Sequence, residues 1–117
     1  MHNDIKENNV LLHKMTEEWK PAVIDFGKTR PQTNPKRYQL TDAQREFYKT
    51  KHPWIAPELI DGTHTQTRKT DVYSLGVLLQ SMLSKFVQQN FDYENLSARC
   101  IAPQPIRISL KELKDEL

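Results

Sequence analysis

The amino-acid sequence has few glycines and almost no cysteine. Its 117 residues include three glycines, at positions 27, 62 and 76, so a glycine-rich loop that binds phosphates cannot be built from them. The single cysteine, Cys100, excludes an internal disulfide and a zinc site of four cysteines, and it fits a reducing compartment. We therefore expect an intracellular protein, with the cytoplasm as its expected location.

The sequence also has no long hydrophobic run. Its most apolar stretch, Val72 to Leu83, is interrupted by serine, glycine and glutamine, and it is too short to span a bilayer. The first residues, Met1-His2-Asn3-Asp4, do not form a basic patch followed by an apolar run, so no signal peptide is predicted. We expect no membrane partner.

Charge is nearly balanced overall but unevenly distributed. Seventeen basic residues stand against 15 acidic ones, which gives a net charge of +2. Residues 28–52 hold seven of the basic residues and two acidic ones, as a nucleic-acid-binding patch would. However, this stretch contains Pro31 and Pro35 and has no helical periodicity in its first half. We interpret it as a solvated, mobile loop on which a substrate could dock, and we expect no nucleic-acid partner.

Periodicity and turn residues predict a mainly helical chain with one short β-hairpin. Two apolar runs, Val10-Leu11-Leu12 and Pro21-Ala22-Val23-Ile24, predict the two strands. Pro57 to Ile60 suits one helical turn that ends near Gly62. Further helices are predicted over 42–47, over 93–101, and after the capping box that opens at Ser109.

The strongest helical pattern covers residues 71–86. Thr70 or Asp71 can cap its start, and apolar side chains cover nearly its whole circumference. A helix that is apolar all round is buried on all sides. We therefore expect a central helix that needs cover from several neighbouring elements.

Polar clusters flank the predicted hairpin. Residues 2–9 come directly before its first strand, and Asp25-Phe26-Gly27 comes directly after its second. Because a hairpin returns the chain to its starting point, we expect Asn9 and Asp25 to become neighbours. A pair of side-chain oxygens at one end of a hairpin suits a hard cation such as Mg²⁺.

These clusters resemble the motifs of eukaryotic-type protein kinases. His2, Asp4 and Asn9 match the catalytic loop of that family, and Asp25-Phe26-Gly27 matches its magnesium-binding motif. Ala56-Pro57-Glu58 matches the motif that closes the activation segment. The resemblance is to the C-terminal lobe, in truncated form, and it implies a partial kinase domain over residues 1–117. Its parts would be the catalytic loop and magnesium-motif hairpin (1–27), the activation segment (28–58) and a helical subdomain (59–117).

The resemblance implies transfer of a phosphoryl group from ATP, with Mg²⁺, to a hydroxyl group of a protein substrate. Asp4 would accept the proton of that hydroxyl, and Lys6 would neutralise the transferring phosphate. Asn9 and Asp25 would hold the magnesium ions that position ATP. Structural roles are implied for His2 packed on Phe26, for Gly27, for Asp71 bound to the catalytic-loop backbone, and for Arg107 paired with Glu58.

The resemblance leaves the kind of acceptor hydroxyl open. A lysine two residues after the catalytic aspartate, as Lys6 is here, resembles the serine/threonine kinases. Trp54, just before the Ala56-Pro57-Glu58 motif, instead resembles the tyrosine kinases and the tyrosine-kinase-like group. The sequence therefore predicts a protein kinase whose substrate is serine/threonine or tyrosine.

The sequence departs from the family pattern in two ways. Asn3 stands where many kinases carry an arginine that receives the phosphate of the activation segment. Nothing in the sequence matches the small lobe, with its glycine-rich loop and nucleotide-gripping lysine, or the helices before the catalytic loop. Two hypotheses follow: a fragment of an active kinase, or a non-catalytic kinase-like binding fragment. In either case the expected partner is a missing small lobe, or a partner protein that covers the central helix.

Overall fold

The structure is a computed structural model that describes residues 1–85 and 91–117. In chain order, this part of the chain holds a 3-10 turn (Glu7–Asn9), strands β1 (Val10–Met15) and β2 (Glu18–Val23), and helices α1 (Asp42–Lys51), α2 (Pro57–Ile60), α3 (Arg68–Leu83), α4 (Phe91–Ile101) and α5 (Leu110–Glu116). The predicted fold class, mainly α with one short β-hairpin, is confirmed.

Strands β1 and β2 form the predicted hairpin. They pair antiparallel, with Val10 opposite Val23 at the open end. The strands are longer than the two apolar runs because backbone pairing continues through polar residues up to the turn. Thr16 opens this two-residue turn with a φ of 55°, the left-handed conformation that lets the chain reverse in so few residues.

Helix α1 lies inside the basic stretch, where the sequence predicted a short helix over 42–47 within a solvated loop. Its start is fixed by a capping box, in which Thr41 Oγ1 accepts from the Gln44 N–H at 3.3 Å and Gln44 Oε1 accepts from the Thr41 N–H at 2.9 Å. At its far end, Lys49 forms an ion pair of 3.1 Å with Asp61, just after α2. The helix predicted over 42–47 is therefore confirmed, and it extends to Lys51.

Helix α3 begins earlier than the sequence predicted. It starts at Arg68, not at the predicted residue 71. The N–H of Thr67, the residue before the helix, donates to Thr70 Oγ1 at 3.1 Å. The Thr70 side chain therefore stabilises the start of the helix. The predicted end at Phe86 lies outside the described residues.

Helices α3 and α4 approach each other closely at Gly76. A Cβ atom at this position would lie 2.5 Å from Cys100 Cβ, which is closer than two non-bonded carbon atoms can approach. The Ser97 hydroxyl also donates to the Gly76 carbonyl oxygen at 3.2 Å. The hydrophobic core extends from this contact to α5 and consists of Val72, Leu96, Cys100, Ile108 and Leu113.

The cover of α3 is incomplete. Val72 is fully buried, but Met82 is 48% exposed near the end of the helix. Within residues 1–85 and 91–117 the helix is therefore only partly covered, which agrees with the expectation that it needs cover from several neighbouring elements. Several apolar side chains of the hairpin are exposed as well, namely Leu11, Leu12, Met15, Trp19 and Val23.

Candidate active site

A carboxylate from helix α3 holds the backbone of the residues before the hairpin. Asp71 Oδ2 accepts a hydrogen bond from the His2 N–H, and Oδ1 accepts one from the Asn3 N–H, each at 2.8 Å. Asp71 lies in the first turn of α3, where the helix dipole favours a negative charge. The segment that carries Asp4 is thereby anchored to the central helix.

The His2 ring links this segment to the end of β2. Its Nδ1 accepts from the Asp4 N–H at 3.2 Å, so Nε2 carries the proton that is shared with the Ile24 carbonyl oxygen at 3.1 Å. The ring also meets Phe26 edge-on, with 5.1 Å between the two ring centroids. Phe26 itself is 64% exposed, so His2 covers one edge of an otherwise open aromatic side chain.

Asp4 is a buried residue, 4% exposed, and its carboxylate has three polar neighbours. Lys28 Nζ lies 3.2 Å from its Oδ1, and Lys6 Nζ lies 3.5 Å from its Oδ2. Asn9 Nδ2 donates to Oδ2 at 3.1 Å and to the Asp4 carbonyl oxygen at 2.8 Å. Burial raises the pKa of Asp4, but the hydrogen bonds and charges of Lys28, Lys6 and Asn9 together outweigh it and lower the pKa. At neutral pH Asp4 is thus an ionised carboxylate that only accepts hydrogen bonds.

Lys28 is the residue of this site that the sequence interpretation missed. The sequence places it at the start of the basic stretch, where its charge suggests a solvated loop. Its side chain is 61% exposed, yet its ammonium group contacts Asp4. One signal could have revealed it: Lys28 directly follows Asp25-Phe26-Gly27, at the hairpin end where the chain returns to the level of Asp4.

The hairpin brings Asn9 next to the residue that precedes Asp25. The Ile24 N–H donates to the Asn9 carbonyl oxygen at 2.9 Å. Asp25 then adopts a φ of 61°, and its Oδ1 accepts from the Gly27 N–H at 3.1 Å. The geometry therefore places both predicted cation-binding residues at one end of the hairpin.

The donor atoms of Asn9 and Asp25 fit a magnesium ion. Because Nδ2 of Asn9 is bonded to Asp4, its Oδ1 is the amide atom left to meet a cation. Asp25 is exposed and presents a carboxylate to solvent. Magnesium is bound by one or two such oxygens together with water and phosphate oxygens. In the described residues no group of three or more His, Cys, Asp or Glu could hold a metal by itself.

Asn3 links the two segments that meet at this site. It has a φ of 66°, and its Nδ2 donates to the Met1 carbonyl oxygen at 3.2 Å and to the Lys28 carbonyl oxygen at 3.0 Å. Its Oδ1 is buried without a hydrogen-bond partner. The amide therefore holds the backbone of Lys28, whose side chain reaches Asp4, in place.

Arg107 and Glu58 form a buried, bidentate ion pair between α2 and the segment before α5. Arg107 Nη1 lies 2.6 Å from Glu58 Oε1, and Nη2 lies 3.0 Å from Oε2. The guanidinium also lies over the ring of Tyr73, 4.8 Å from its centroid. This pair fastens the Ala56-Pro57-Glu58 segment to the helical part of the chain.

Comparison with known families agrees with this arrangement. Residues 1–113 match the family described as the protein kinase domain. The chain belongs to the protein kinase family. The kinase identity that the motifs predicted is therefore confirmed over nearly the whole chain.

Several curated protein kinases are similar to this kinase chain. It is 36% identical over 88 residues to the receptor-like protein kinase HAIKU2 of Arabidopsis thaliana. The matched region covers 72% of this chain and 8% of HAIKU2. It is 34% identical over 101 residues to the cysteine-rich receptor-like protein kinase 36 of Arabidopsis thaliana, covering 84% of the chain and 14% of that protein. It is 37% identical over 84 residues to the serine/threonine-protein kinase PkaA of Streptomyces coelicolor, covering 72% and 14%.

The kinase chain thus spans well under a fifth of the length of these relatives. No solved structure matches it. Among the helices of the described residues, none is both long and apolar enough to cross a membrane.

Replacing Lys28 with methionine is expected to raise the pKa of Asp4, because the burial remains while the nearest ammonium group is lost. Since the pKa of Asp4 is lowered on folding, its carboxylate stabilises the fold above its unfolded pKa, and this contribution is lost as the pH falls through the lowered value. In Lys28→Met the contribution should shrink and its loss should be complete at a higher pH. Carboxyl ¹³C NMR titration of the chain measures both.

The matched control is Lys36→Met, which removes an equal charge from the same segment without removing a contact to Asp4. It should leave the Asp4 titration close to that of the unmodified chain. An unchanged Asp4 titration in Lys28→Met would mean that this ion pair does not form in solution.

Proposed function

We propose that this chain is the C-terminal-lobe part of a protein kinase that transfers a phosphoryl group from ATP to a hydroxyl group of a protein. The observation that carries the proposal is the state of Asp4: a buried carboxylate, kept ionised by Lys6 and Lys28 and hydrogen-bonded by Asn9. In this proposal, residues 1–27 supply the catalytic loop and magnesium motif, 28–58 the activation segment, and 59–117 the helical subdomain.

Asp4 would act as the proton acceptor. An ionised carboxylate can accept a hydrogen bond from a substrate hydroxyl and so orient its oxygen toward the phosphorus. As the new oxygen–phosphorus bond forms and the bond to the leaving oxygen breaks, the hydroxyl proton passes to a carboxylate oxygen of Asp4. Lys6, 3.5 Å from Asp4, would stand beside the transferring group and balance its negative charge.

Asn9 and Asp25 would hold Mg²⁺ with ATP. The bound ion would neutralise phosphate charge and position the phosphate chain. The chain's own contribution is to fix the two ligands: Asn9 through its bonds to Asp4, and Asp25 through its bond to the Gly27 N–H.

Serine or threonine is the acceptor that we favour. Lys6 follows Asp4 in the way that the serine/threonine kinases have it, and PkaA of Streptomyces coelicolor carries that activity in its name. Trp54 is the residue that argues for the tyrosine-kinase-like groups, so the preference rests on Lys6. The acceptor would belong to a protein substrate.

A non-catalytic, kinase-like binding fragment is the second candidate. It is favoured by exposed apolar side chains on the hairpin and in the segment that follows it, because Leu12 is 66%, Trp19 65% and Phe26 64% exposed. Exposed patches of this kind are typical of interaction surfaces. The small lobe of a kinase, or another covering partner, would fill the same surface. The retained polar residues around Asp4 favour the catalytic fragment, since a binding-only fragment has no use for them.

The metal site can be tested on the chain itself with Mn²⁺, a paramagnetic substitute for Mg²⁺. Added Mn²⁺ is expected to broaden the NMR signals of the Gly27 amide and the Asn9 side-chain amide first. In Asp25→Ala the same broadening should need at least about tenfold more Mn²⁺, because a carboxylate ligand is gone.

The control for this test is Asp92→Ala, which removes an exposed carboxylate from the first turn of α4. It should leave the broadening of Gly27 and Asn9 unchanged. Equal broadening in Asp25→Ala and in the unmodified chain would refute the proposed metal site.

A further inference from the structure

A large basic cavity lies next to Asp4. It has a volume of about 830 Å³ and is bounded by residues 27–31, 34 and 36–40, by the end of α1 and by the segment around Trp54. Five permanently cationic side chains line it: Lys6, Lys28, Arg30, Lys36 and Arg37. None of the described residues that line it is acidic. Asp4 partly balances Lys6 and Lys28, so the excess positive charge of the wall comes from Arg30, Lys36 and Arg37. Such a cavity attracts an anionic ligand.

One end of the cavity reaches the proposed proton acceptor. Lys6 and Lys28 both line the cavity, and the ammonium groups of both contact the Asp4 carboxylate. Arg30, Lys36 and Arg37 belong to the part of the wall that follows Lys28 in sequence. A peptide that presents a hydroxyl to Asp4 would therefore lay its neighbouring residues along these three cations.

Several aromatic rings of the cavity wall are in contact with side chains of neighbouring residues. Lys6 Nζ lies 5.0 Å from the ring centroid of Trp54, and Lys36 Nζ lies 5.5 Å from that of Tyr38. His52 meets the rings of Tyr48 and Trp54 edge-on, with centroid distances of 4.8 Å and 5.1 Å. Single-stranded nucleic acids need open aromatic faces on which bases stack. Two of these faces carry a lysine instead, which favours a peptide over a nucleic acid.

We propose that this cavity selects acidic protein substrates, in which glutamate or aspartate residues flank the hydroxyl that is phosphorylated. The proposal rests on the proposed kinase function for the role of Asp4, but the charge preference is a property of the cavity alone. Glutamate carboxylates in the peptide would pair with Arg30, Lys36 and Arg37, while Lys6 and Lys28 remain with Asp4 and the transferred group.

Peptide binding to the 117-residue chain tests this preference without any catalysis. Three fluorescent peptides with a central serine are compared by anisotropy, with glutamate, glutamine or lysine at all flanking positions. We expect the glutamate peptide to bind at least about tenfold more tightly than the glutamine peptide, which corresponds to about 1.4 kcal/mol. The advantage should shrink between about 50 mM and about 300 mM salt, because salt screens exposed charges. The lysine peptide should bind least.

Two matched double variants test whether the cavity is the binding site. Arg30→Glu with Lys36→Glu reverses two charges in the wall, and it should remove the preference for the glutamate peptide. Lys14→Glu with Lys111→Glu changes the net charge by the same amount, at exposed positions on β1 and α5 that do not line the cavity. This control should keep the preference within about twofold. Arg30→Gln with Lys36→Gln repeats the test with neutral side chains in case charge reversal disturbs folding.

Each outcome bears on one proposal at a time. Equal binding of the glutamate and glutamine peptides, or an equal loss in the wall variants and the control, would overturn the acidic-substrate proposal and leave the kinase function standing. A single-stranded oligonucleotide that binds more tightly than the glutamate peptide and is lost in the wall variants would also overturn it. A glutamate preference that follows the wall variants supports the proposal even if the proposed proton acceptor fails its own test.

Discussion

Replacing Arg107 with leucine is expected to cost about 3–5 kcal/mol of folding free energy, because the substitution leaves the Glu58 carboxylate buried without its partner. Small domains are stable by only about 5–15 kcal/mol, so the variant should lose most or all of its cooperative unfolding transition. The loss would loosen the Ala56-Pro57-Glu58 segment from the helical part of the chain. Urea unfolding followed by circular dichroism measures the effect.

The size of this effect follows from how completely Arg107 is bonded. Besides the two bonds to Glu58, its Nε donates to the Ala102 carbonyl oxygen at 2.9 Å and its Nη1 to the Lys69 carbonyl oxygen at 3.0 Å. Arg107 is 2% exposed and Glu58 8%. Water therefore cannot easily replace any of these bonds when the guanidinium is removed.

Two further variants separate the ion pair from arginine removal in general. Arg99→Leu breaks a surface pair with Glu116, whose side chains are 42% and 44% exposed, and it should cost less than about 1 kcal/mol. The double variant Glu58→Leu with Arg107→Leu should lose at least about 1 kcal/mol less than the sum of its two single variants, since neither charge is then buried alone. Equal costs for Arg107→Leu and Arg99→Leu would contradict the buried pair.

Local sequence signals predicted the elements whose causes are themselves local. The hairpin was predicted because two apolar runs lie close together along the chain, and α5 because Ser109 and Glu112 form a capping box. The kinase motifs are local as well, and they identified the family. These short signals did not predict the length of each element. Backbone pairing extends β1 and β2 beyond the apolar runs. Helix α3 begins directly after Thr67, before the predicted residue 71.

Contacts between distant segments could not be predicted in the same way. Lys28 reaches Asp4 across 24 positions, and only the turn of the hairpin brings them together. His52 is likewise half-buried between the rings of Tyr48 and Trp54. No local pattern indicates the neighbours of His52, and for Lys28 the one signal is its position directly after the hairpin. The basic cavity could not be predicted from local patterns either, because its wall is assembled from four separated stretches of the chain.

The roles assigned to the site residues remain predictions about chemistry. The structure brings Asp4, Lys6 and Asn9 together and adds Lys28 to them. Its geometry fits proton acceptance at Asp4 and cation binding between Asn9 and Asp25. Turnover is the property that separates a catalytic fragment from a binding fragment with the same geometry.

Asp4→Asn is expected to lower the rate of phosphoryl transfer by about 10²–10⁴-fold, because an amide cannot accept the hydroxyl proton. The assay uses the whole chain joined behind the segments that precede the catalytic loop in an active kinase, namely the small lobe and the helices that follow it. Asparagine has nearly the same shape as aspartate, and the bonds from the His2 and Asn3 N–H groups to Asp71 are untouched, so the loop should keep its conformation. Transfer of labelled phosphate to a serine peptide measures the rate.

The matched control is Asp92→Asn, the same chemical change at an exposed position in the first turn of α4. It should leave the rate unchanged, whereas Asp4→Asn should lower it with little change in the peptide concentration that half-saturates the enzyme. This split follows from the proposed roles, in which Asp4 acts on the proton during transfer and the cationic wall of the cavity supplies the peptide affinity. A rate within about threefold of the unmodified protein in Asp4→Asn would remove Asp4 from the proton-transfer step, and the non-catalytic binding fragment would then be the better description of this chain.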